Sequence, residues 1–271
     1  MFFEDMFTPG LESLGYILDQ VPDKYKPQIY VRCLAQTIDP DDFTNSIGMF
    51  AWMSKFEQMI NNIQNIHILA TNEEMVANMK IAGWTAPVYN ISGLSFNKKE
   101  VQTRAGVIPK FNKRPVRVSF ASRWDLEKQP EFLLDIFRNY KNHYSLYQNV
   151  EFCILSGGKL KSNSKRCLEL AKETEKDNLI TIHDNLSKEQ YYNYLKNSRV
   201  LILTSLQDWV SNSIMEADAL GCNVLAPAYR SFPETLSNDK DRLYIPWSID
   251  DASEKLFRLT TNPHKNIRKL S

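Results

Sequence analysis

The sequence is poor in the features that mark extracellular, metal-bound and membrane-spanning proteins. Its 271 residues include only four cysteines, Cys33, Cys153, Cys167 and Cys222, with no C-x-x-C pair and no metal-ligand spacing. This pattern predicts reduced thiols, no disulfide and no zinc site. No run approaches the roughly 18 apolar residues of a membrane span, and the apolar start Met1–Phe3 lacks the basic segment of a signal peptide. We therefore expect a cytoplasmic protein without a membrane span.

An excess of charge of one sign is also missing. The chain has 33 Lys and Arg against 32 Asp and Glu, which excludes the global basicity of proteins that bind nucleic acid mainly by neutralising phosphates. The charge is uneven, because residues 1–110 carry nine basic and twelve acidic residues, whereas residues 111–271 carry 24 and 20. The second half is therefore the better host for an anionic ligand.

Strand-like and helix-like segments alternate along the first 91 residues. Asp39 and Pro40 have the character of an N-cap followed by proline at the first helical position, and Gly83 ends a later helical pattern. The predicted strands are 29–35, 66–70 and 88–91, and the predicted helices are 40–63 and 72–82.

The stretch 93–115 loses this periodicity and collects basic residues around Gly106 and Pro109, which is the composition of a linker. We therefore predict two domains, 1–110 and 111–271. In the second domain the predicted strands are 116–121, 150–155, 179–182, 200–204 and 223–226, and the predicted helices are 130–140, 164–176, 187–197 and 212–220. Strands that alternate with helices predict an α/β fold with a doubly wound parallel sheet.

Two cations follow the first strand of the second domain. In a doubly wound sheet, ligands bind beyond the carboxyl ends of the strands. Arg123 and Lys128 lie there, five residues apart, and could converge on one diphosphate, the guanidinium as a fork and the ammonium as a point charge. The alternative is a surface loop in which both cations pair with Asp125 and Glu127.

A helix opening follows the strand at 200–204. Asp208 precedes it, and free backbone N–H groups at the start of a helix attract anions. Glu216 lies one turn into this helix, within reach of a ribose on the same phosphates, or else is a solvated carboxylate on the helix face. The predicted donor-binding residues of this helix start are Ser211, Asn212, Ser213 and Ile214.

Two further loops contribute weaker candidates. Gly157 belongs to a double glycine after the strand at 150–155, a pair that more often simply turns the chain. His183 and Asp184 follow the strand at 179–182, where they could border a nucleotide base. We count all three as donor-side candidates.

Together these residues resemble the retaining GT-B glycosyltransferases of glycosyltransferase family 4, over residues 116 to about 236. In that family an Arg and a Lys contact the donor diphosphate, and two Glu residues separated by seven positions bind the donor sugar and the ribose. Arg123 and Lys128 match the two cations, and Glu216 matches the second Glu. Asp208, eight positions earlier, stands where the first Glu belongs, and Ser211 replaces a frequent glycine.

The resemblance implies two Rossmann-like domains, an abbreviated N-terminal one for the acceptor and a C-terminal one for the donor. It implies a nucleotide-diphosphate sugar, such as a UDP-sugar, as co-substrate, with no further cofactor and no metal. Where relatives place a histidine after a central strand, Gln36 and Asp39 are the acceptor-side candidates. Asp39-Pro40-Asp41 also spells the D-x-D of metal-dependent transferases, but the N-cap explains it without a metal.

The acceptor is a hydroxyl of unknown identity. The chain is distantly similar to the DNA-glycosylating enzymes of T-even bacteriophages, which would make a hydroxymethylated pyrimidine in phage DNA the acceptor and basic patches around Lys113 and Lys161 its backbone contacts. Two other function classes stay open: a non-catalytic nucleotide-sugar-binding or regulatory module, and an oxidoreductase, which the lack of a G-x-G-x-x-G after any predicted strand disfavours.

Overall fold

The chain folds into two compact units, Met1–Ser95 and Phe96–Ser271, in a computed structural model. The structure describes residues 1–34, 37, 39, 45, 47–93, 96–146, 149–206 and 208–263. Within that part of the chain, no helix is long and apolar enough to span a membrane. All four cysteines are described, are buried and form no disulfide.

The first unit contains a four-stranded parallel sheet in the order β1-β2-β3-β4. Alternate residues of its strands are buried: Ile29 and Val31 have no exposed surface, whereas Tyr30 between them is 40% exposed. The strands are β1 (Phe2–Phe3), β2 (Ile29–Arg32), β3 (Ile66–Ala70) and β4 (Val88–Asn90), and the helices are α1 (Leu14–Asp19), α2 (Phe50–Asn61) and α3 (Glu73–Ile81).

The helix predicted over 40–63 is interrupted in the structure: Asn45 is helical, Gly48 and Met49 are not, and α2 begins at Phe50. Gly48 has φ 75, a left-handed conformation that an α-helix does not contain and that glycine adopts without strain. The turn at Gly48 therefore separates α2 from Asp39, which does not serve as the N-cap of this helix. The residues next to Asp39 at 40–44 lie outside the described part of the chain.

The second unit contains a six-stranded parallel sheet in the order β10-β9-β8-β5-β6-β7. The chain starts in the middle, winds out to one edge, crosses back and winds to the other edge, which is Rossmann topology. The strands are β5 (Arg117–Phe120), β6 (Glu151–Leu155), β7 (Ile180–His183), β8 (Val200–Ile202), β9 (Asn223–Pro227) and β10 (Leu243–Tyr244). The helices are α4 (Lys98–Ala105), α5 (Pro130–Tyr144), α6 (Lys165–Glu175), α7 (Lys188–Lys196), α8 (Asn212–Ala219), α9 (Phe232–Thr235) and α10 (Ile249–Thr261).

Apolar side chains cover both faces of this sheet. Val200 and Ile202 of β8 pack on the face beneath α5, α6 and α10, while Leu201 between them packs on the face beneath α4, α7 and α8. Each fully buried aliphatic side chain contributes about 1.5–3 kcal/mol to the free energy of unfolding. Two-sided burial explains why these strands are continuous apolar runs.

The structure divides the chain at 95/96, earlier than the boundary we predicted at 110. The stretch predicted as linker contains α4, whose Val101 and Ala105 are buried in the core of the second unit. Arg114, 5% exposed, anchors the end of the stretch by donating to three backbone carbonyls, those of Pro109, Ser198 and Leu220 (2.9–3.1 Å). Two apolar side chains and one buried guanidinium thus attach a segment of basic composition to the second unit.

Candidate donor site

The candidate site lies where β5 and β8 lie side by side at the centre of the second sheet. At this switch point the connections leave in opposite directions, so the two loops diverge and leave a crevice. Backbone contacts fix the loops to each other: Leu206 N–H donates to the Glu127 carbonyl (2.8 Å), and Thr204 Oγ1 donates to the Lys128 carbonyl (2.6 Å). The sheet therefore places the two predicted motifs at one edge.

Lys128 and Asp208 face each other across these loops. Lys128 ends a short 3-10 helix, Leu126–Lys128, and its side chain is 8% exposed; its Nζ lies 3.9 Å from Asp208 Oδ2. Ser231 Oγ donates to the Asp208 backbone carbonyl, which holds the acidic loop in place. This ion pair joins the loop after β5 to the loop after β8.

Arg123 lies in the same loop and is more exposed. Its side chain is 56% exposed, and its Nη2 donates to Glu127 Oε1 at 2.7 Å. The alternative pairing considered for this loop thus exists for Arg123. Asp125 instead accepts hydrogen bonds from Leu126 N–H (3.3 Å) and Ser162 Oγ (2.6 Å).

The start of α8 lies directly after the acidic loop. Ser211 occupies its N-cap position with extended backbone, but its side chain does not cap the helix; within the described residues the hydroxyl bonds to Ser213 Oγ (2.9 Å). The first backbone N–H groups of a helix have no intrahelical acceptor. Asn212 and Ser213 open α8, and their N–H groups form the anion-attracting end that the sequence predicts, whereas Ile214 N–H donates to the Ser211 carbonyl (3.1 Å).

Glu216 is buried one turn into α8 and is 7% exposed. Its Oε1 accepts from Lys188 Nζ at 2.6 Å and from Tyr192 Oη at 3.1 Å. Burial first, and then the Glu216 charge, raise the pKa of Tyr192 to about 12, so this phenol stays protonated and donates. The alternative of a solvated carboxylate on the helix face is wrong, because Glu216 is buried and accepts hydrogen bonds from two donors.

Lys188 is a site residue that our sequence analysis missed. It is the first residue of α7, directly after Ser187, whose side chain forms a capping box with Gln190. The Lys188 ammonium also lies 4.8 and 4.9 Å from the ring centres of Tyr191 and Tyr192. The sequence does place Lys188 at the start of a helix that follows a strand end. No local pattern, however, indicates that Lys188 pairs with a residue of α8.

The weaker donor-side candidates lie after β6 and β7. The loop after β6 is fixed to the one after β7, because Ser156 N–H donates to the His183 carbonyl (2.9 Å). A Cβ on Gly157 would come within 4.0 Å of the Leu186 carbonyl, ordinary contact. Asp184 is exposed beyond β7. The donor-side role of these positions stays a prediction.

The His183 side chain packs on the sheet. Its ring stacks on Tyr194 at 4.1 Å, and burial lowers its pKa, which keeps the imidazole neutral at pH 7. Potential ligand atoms of Glu151, Cys153 and His183 lie within 4.8 Å of one another. The Cys153 thiol donates to Glu151 (3.3 Å), and Arg117 pairs with the same carboxylate (2.9 Å). These three residues therefore form a polar cluster whose carboxylate is already paired with Arg117.

The acceptor-side candidates belong to the first unit. Gln36 lies outside the described residues. Asp39 is fully buried, whereas a carboxylate that contacts an acceptor needs an exposed surface. The acceptor-side role of both residues stays a prediction.

Comparisons with known proteins place this geometry in a family. The description "Glycosyl transferases group 1" matches residues 102–270, whereas no curated protein sequence matches the chain. Similar solved structures include sucrose-phosphate synthase from Thermosynechococcus elongatus, with a TM-score of 0.67 and 14% identity over 92% of this chain and 62% of that one.

Two other similar structures are TarM from S. aureus, crystallised with fondaparinux, alpha-GlcNAc-glycerol and UDP, and an alpha,alpha-trehalose-phosphate synthase (UDP-forming) from Burkholderia vietnamiensis. TarM has a TM-score of 0.65 and 15% identity over 94% of this chain and 48% of that one. The Burkholderia structure has a TM-score of 0.64 and 12% identity over 87% of this chain and 58% of that one. The chain spans about half to two thirds of the length of these structures. These similarities show the α/β fold of two Rossmann-like units that the sequence predicts, and the family match covers the donor loops: the chain belongs to the glycosyl transferases group 1 family.

Proposed function

We propose that the second unit binds a nucleotide-diphosphate sugar and that the chain transfers the sugar, with retention, to a hydroxyl acceptor. The observation that carries the proposal is the placement of buried Lys128 opposite Asp208 at the sheet switch point, next to the uncapped start of α8. The diphosphate lies between the Lys128 ammonium and the first N–H groups of α8. Asp208 orients hydroxyls of the donor sugar, and Glu216 accepts from the ribose.

The chemistry needs a leaving diphosphate whose growing negative charge is stabilised. Lys128, Arg123 and the helix start supply positive charge and oriented N–H groups without a metal or a further cofactor. Arg123 reaches the phosphates by exchanging its exposed bond to Glu127 for a phosphate oxygen, which a fork-shaped guanidinium binds in pairs. The two loops are bonded to each other, so the charge pair is held in place before the donor arrives.

UDP is the nucleotide that we propose, and retention is the stereochemistry. Among similar structures, one trehalose-6-phosphate synthase from E. coli is bound with UDP-2-fluoro glucose, and a study of trehalose-6-phosphate synthase concerns glycosyltransfer with retention. Both are 11% identical to this chain, which supports the fold alone. The retaining mode and UDP therefore rest on the resemblance of the donor loops.

For the acceptor, we propose hydroxymethylated DNA as the first candidate to test. The chain as a whole carries a formal charge of only +1, so its overall charge does not attract DNA strongly. Contacts to the phosphates would therefore come from local basic residues of the second unit, among them Lys113 and Lys161. Such binding weakens steeply with salt.

The test is donor turnover. Purified protein is incubated with UDP-glucose, UDP-GlcNAc or GDP-mannose, with and without hydroxymethylated DNA, and released nucleotide is measured; proton NMR of the product gives the anomeric configuration. Release of UDP from a UDP-sugar, with an α-linked product from an α-donor, is the expected result. An inverted product contradicts retention, and the absence of nucleotide binding to the second unit contradicts the donor site.

A non-catalytic donor-binding module is the second candidate. It is favoured by the ion pairs that already engage Arg123 with Glu127 and Glu216 with Lys188, since a module that only binds needs no free cation for a leaving group. Tight UDP binding without release of UDP from any sugar nucleotide would identify this function.

A further inference from the structure

An aromatic slot lies in the second unit, beside the loop after β8 that carries Asp208. We use this name for the hollow lined by Phe132, Ser205, Tyr229, Tyr244 and Trp247 together with neighbouring backbone. Phe132 belongs to α5, and the other lining residues lie at or just after the carboxyl ends of β8, β9 and β10, the same edge of the sheet that carries the acidic loop. The donor loops and the slot are therefore neighbours on one rigid edge.

The rim of the slot is aromatic and open. Trp247 is 59% exposed and Tyr229 36%, and Phe132 supports the indole edge-on, with ring centres 6.1 Å apart. Tyr244 forms the buried floor, and its hydroxyl donates a hydrogen bond to the Leu203 carbonyl (3.0 Å). None of the described lining residues carries a charge. Such a surface suits a neutral ring with an apolar face.

One polar atom in the wall lacks a partner. Ser205 is 1% exposed, and its Oγ has no hydrogen-bond partner among the described residues. The slot has a volume of about 10 Å³, room for one water or one hydroxyl group beside Ser205. A buried hydroxyl without a partner costs free energy, so a ligand hydroxyl that reaches it is favoured.

The backbone holds Trp247 where a large side chain is unfavourable. Ile245 accepts from Ser248 N–H (3.1 Å), Pro246 follows Ile245, and Trp247 has φ 66. A proline at the second position and a positive φ at the third define a type II turn, whose third position favours glycine. Strained residues of this kind gather at functional sites, and here the strain presents an indole at the rim.

We propose that the aromatic slot binds the ring of a neutral hexopyranose, stacked on Trp247 and Tyr229 with one hydroxyl directed to Ser205. The C–H face of a pyranose carries partial positive charge and packs on the negative face of an aromatic ring. The choice of a sugar rests on the proposed sugar transfer. Two sources share this chemistry, the hexose of the donor and a sugar of the acceptor.

Saturation-transfer NMR with methyl α- and β-hexopyranosides at millimolar concentration tests the slot. Transfer to the ring protons is expected with the intact chain and with Trp247→Phe, and it is lost with Trp247→Ala and reduced with Ser205→Ala. Trp52→Ala is the matched control, because Trp52 is an equally exposed tryptophan (53%) of the first unit. Displacement of the methyl glycoside by UDP-glucose but not by UDP identifies the donor hexose; persistence with both identifies an acceptor sugar.

UDP binding, measured on the same samples, separates this inference from the proposed function. If UDP binds and no hexopyranoside shows Trp247-dependent transfer, the slot proposal fails while the donor site stands. Binding of uridine or adenosine in place of the glycosides overturns it as well, as does a crystal soaked with glycoside in which only a water lies beside Ser205. If UDP does not bind in any variant, the donor site fails.

Discussion

Replacing Lys128 by methionine removes one positive charge at a position where the lysine is only 7% exposed, and keeps an unbranched side chain that fills the same space. In the proposed site, this ammonium stabilises the diphosphate as it leaves. Removing one such preorganised group lowers turnover by about 100-fold to 1000-fold, or about 3–4 kcal/mol. We expect Lys128→Met to lose turnover in this range and to bind UDP more weakly.

The effect on folding is smaller. The Lys128 ammonium lies 3.9 Å from Asp208, a separation at which the attraction is about 4 kcal/mol in a medium of dielectric constant about 20. The cost of taking the ammonium out of water offsets most of this attraction, and the Asp208 side chain, 21% exposed, keeps contact with water when the lysine is removed. The free energy of unfolding should therefore fall by no more than about 2 kcal/mol.

The assay compares initial rates of UDP release, UDP affinity by calorimetry, and urea unfolding for wild type, Lys128→Met and Lys172→Met. Lys172 is an exposed lysine of α6 and serves as the control for loss of charge. Unchanged turnover and UDP affinity in Lys128→Met would refute the reasoning. Equal losses in both variants would show that net charge, and not the position of Lys128, governs binding.

The remaining predictions concern three other positions. Arg114→Met leaves three backbone carbonyls without their donor and should lower the free energy of unfolding by about 3 kcal/mol in urea titrations; an unchanged midpoint contradicts this anchor. Ser187→Ala removes the capping box of α7 and should cost about 1 kcal/mol, whereas equal stability would assign the cap no role. Glu216→Gln should lower the affinity for UDP about tenfold in calorimetry, because a charged acceptor for the ribose is lost, and should leave the affinity for pyrophosphate unchanged. An equal loss of affinity for both ligands would mean that the pair of Glu216 with Lys188 acts on the phosphates instead.

Much of the second unit was predictable because its signals are local. A buried run such as Val200–Ile202 is apolar on both faces of the sheet, and the capping box at Ser187 and the glycine stop at Gly221 mark helix ends within a few residues. Strand alternation then implies parallel order and a shared ligand edge. That is why Lys128 and Asp208, 80 positions apart, could be placed at one edge of the sheet from the sequence.

The rest depends on contacts that no local pattern encodes. The helix α4 has a basic composition and is held by two buried apolar residues and by the Gln102 side chain, which donates to the Ala219 carbonyl (2.9 Å). The pairing of Lys188 with Glu216 joins two helices through their packing. The final helix, α10, went unpredicted although Ser248 caps it and Leu256 enters the core. Tertiary contacts outweighed composition at each of these places.

A crystal structure of the chain with UDP tests the central claim most directly. The account predicts the diphosphate within hydrogen-bonding distance of Lys128 Nζ and of the backbone N–H groups of Asn212 and Ser213, with the ribose beside Glu216. UDP bound elsewhere, with Lys128 still paired to Asp208 and no phosphate at the start of α8, would contradict it.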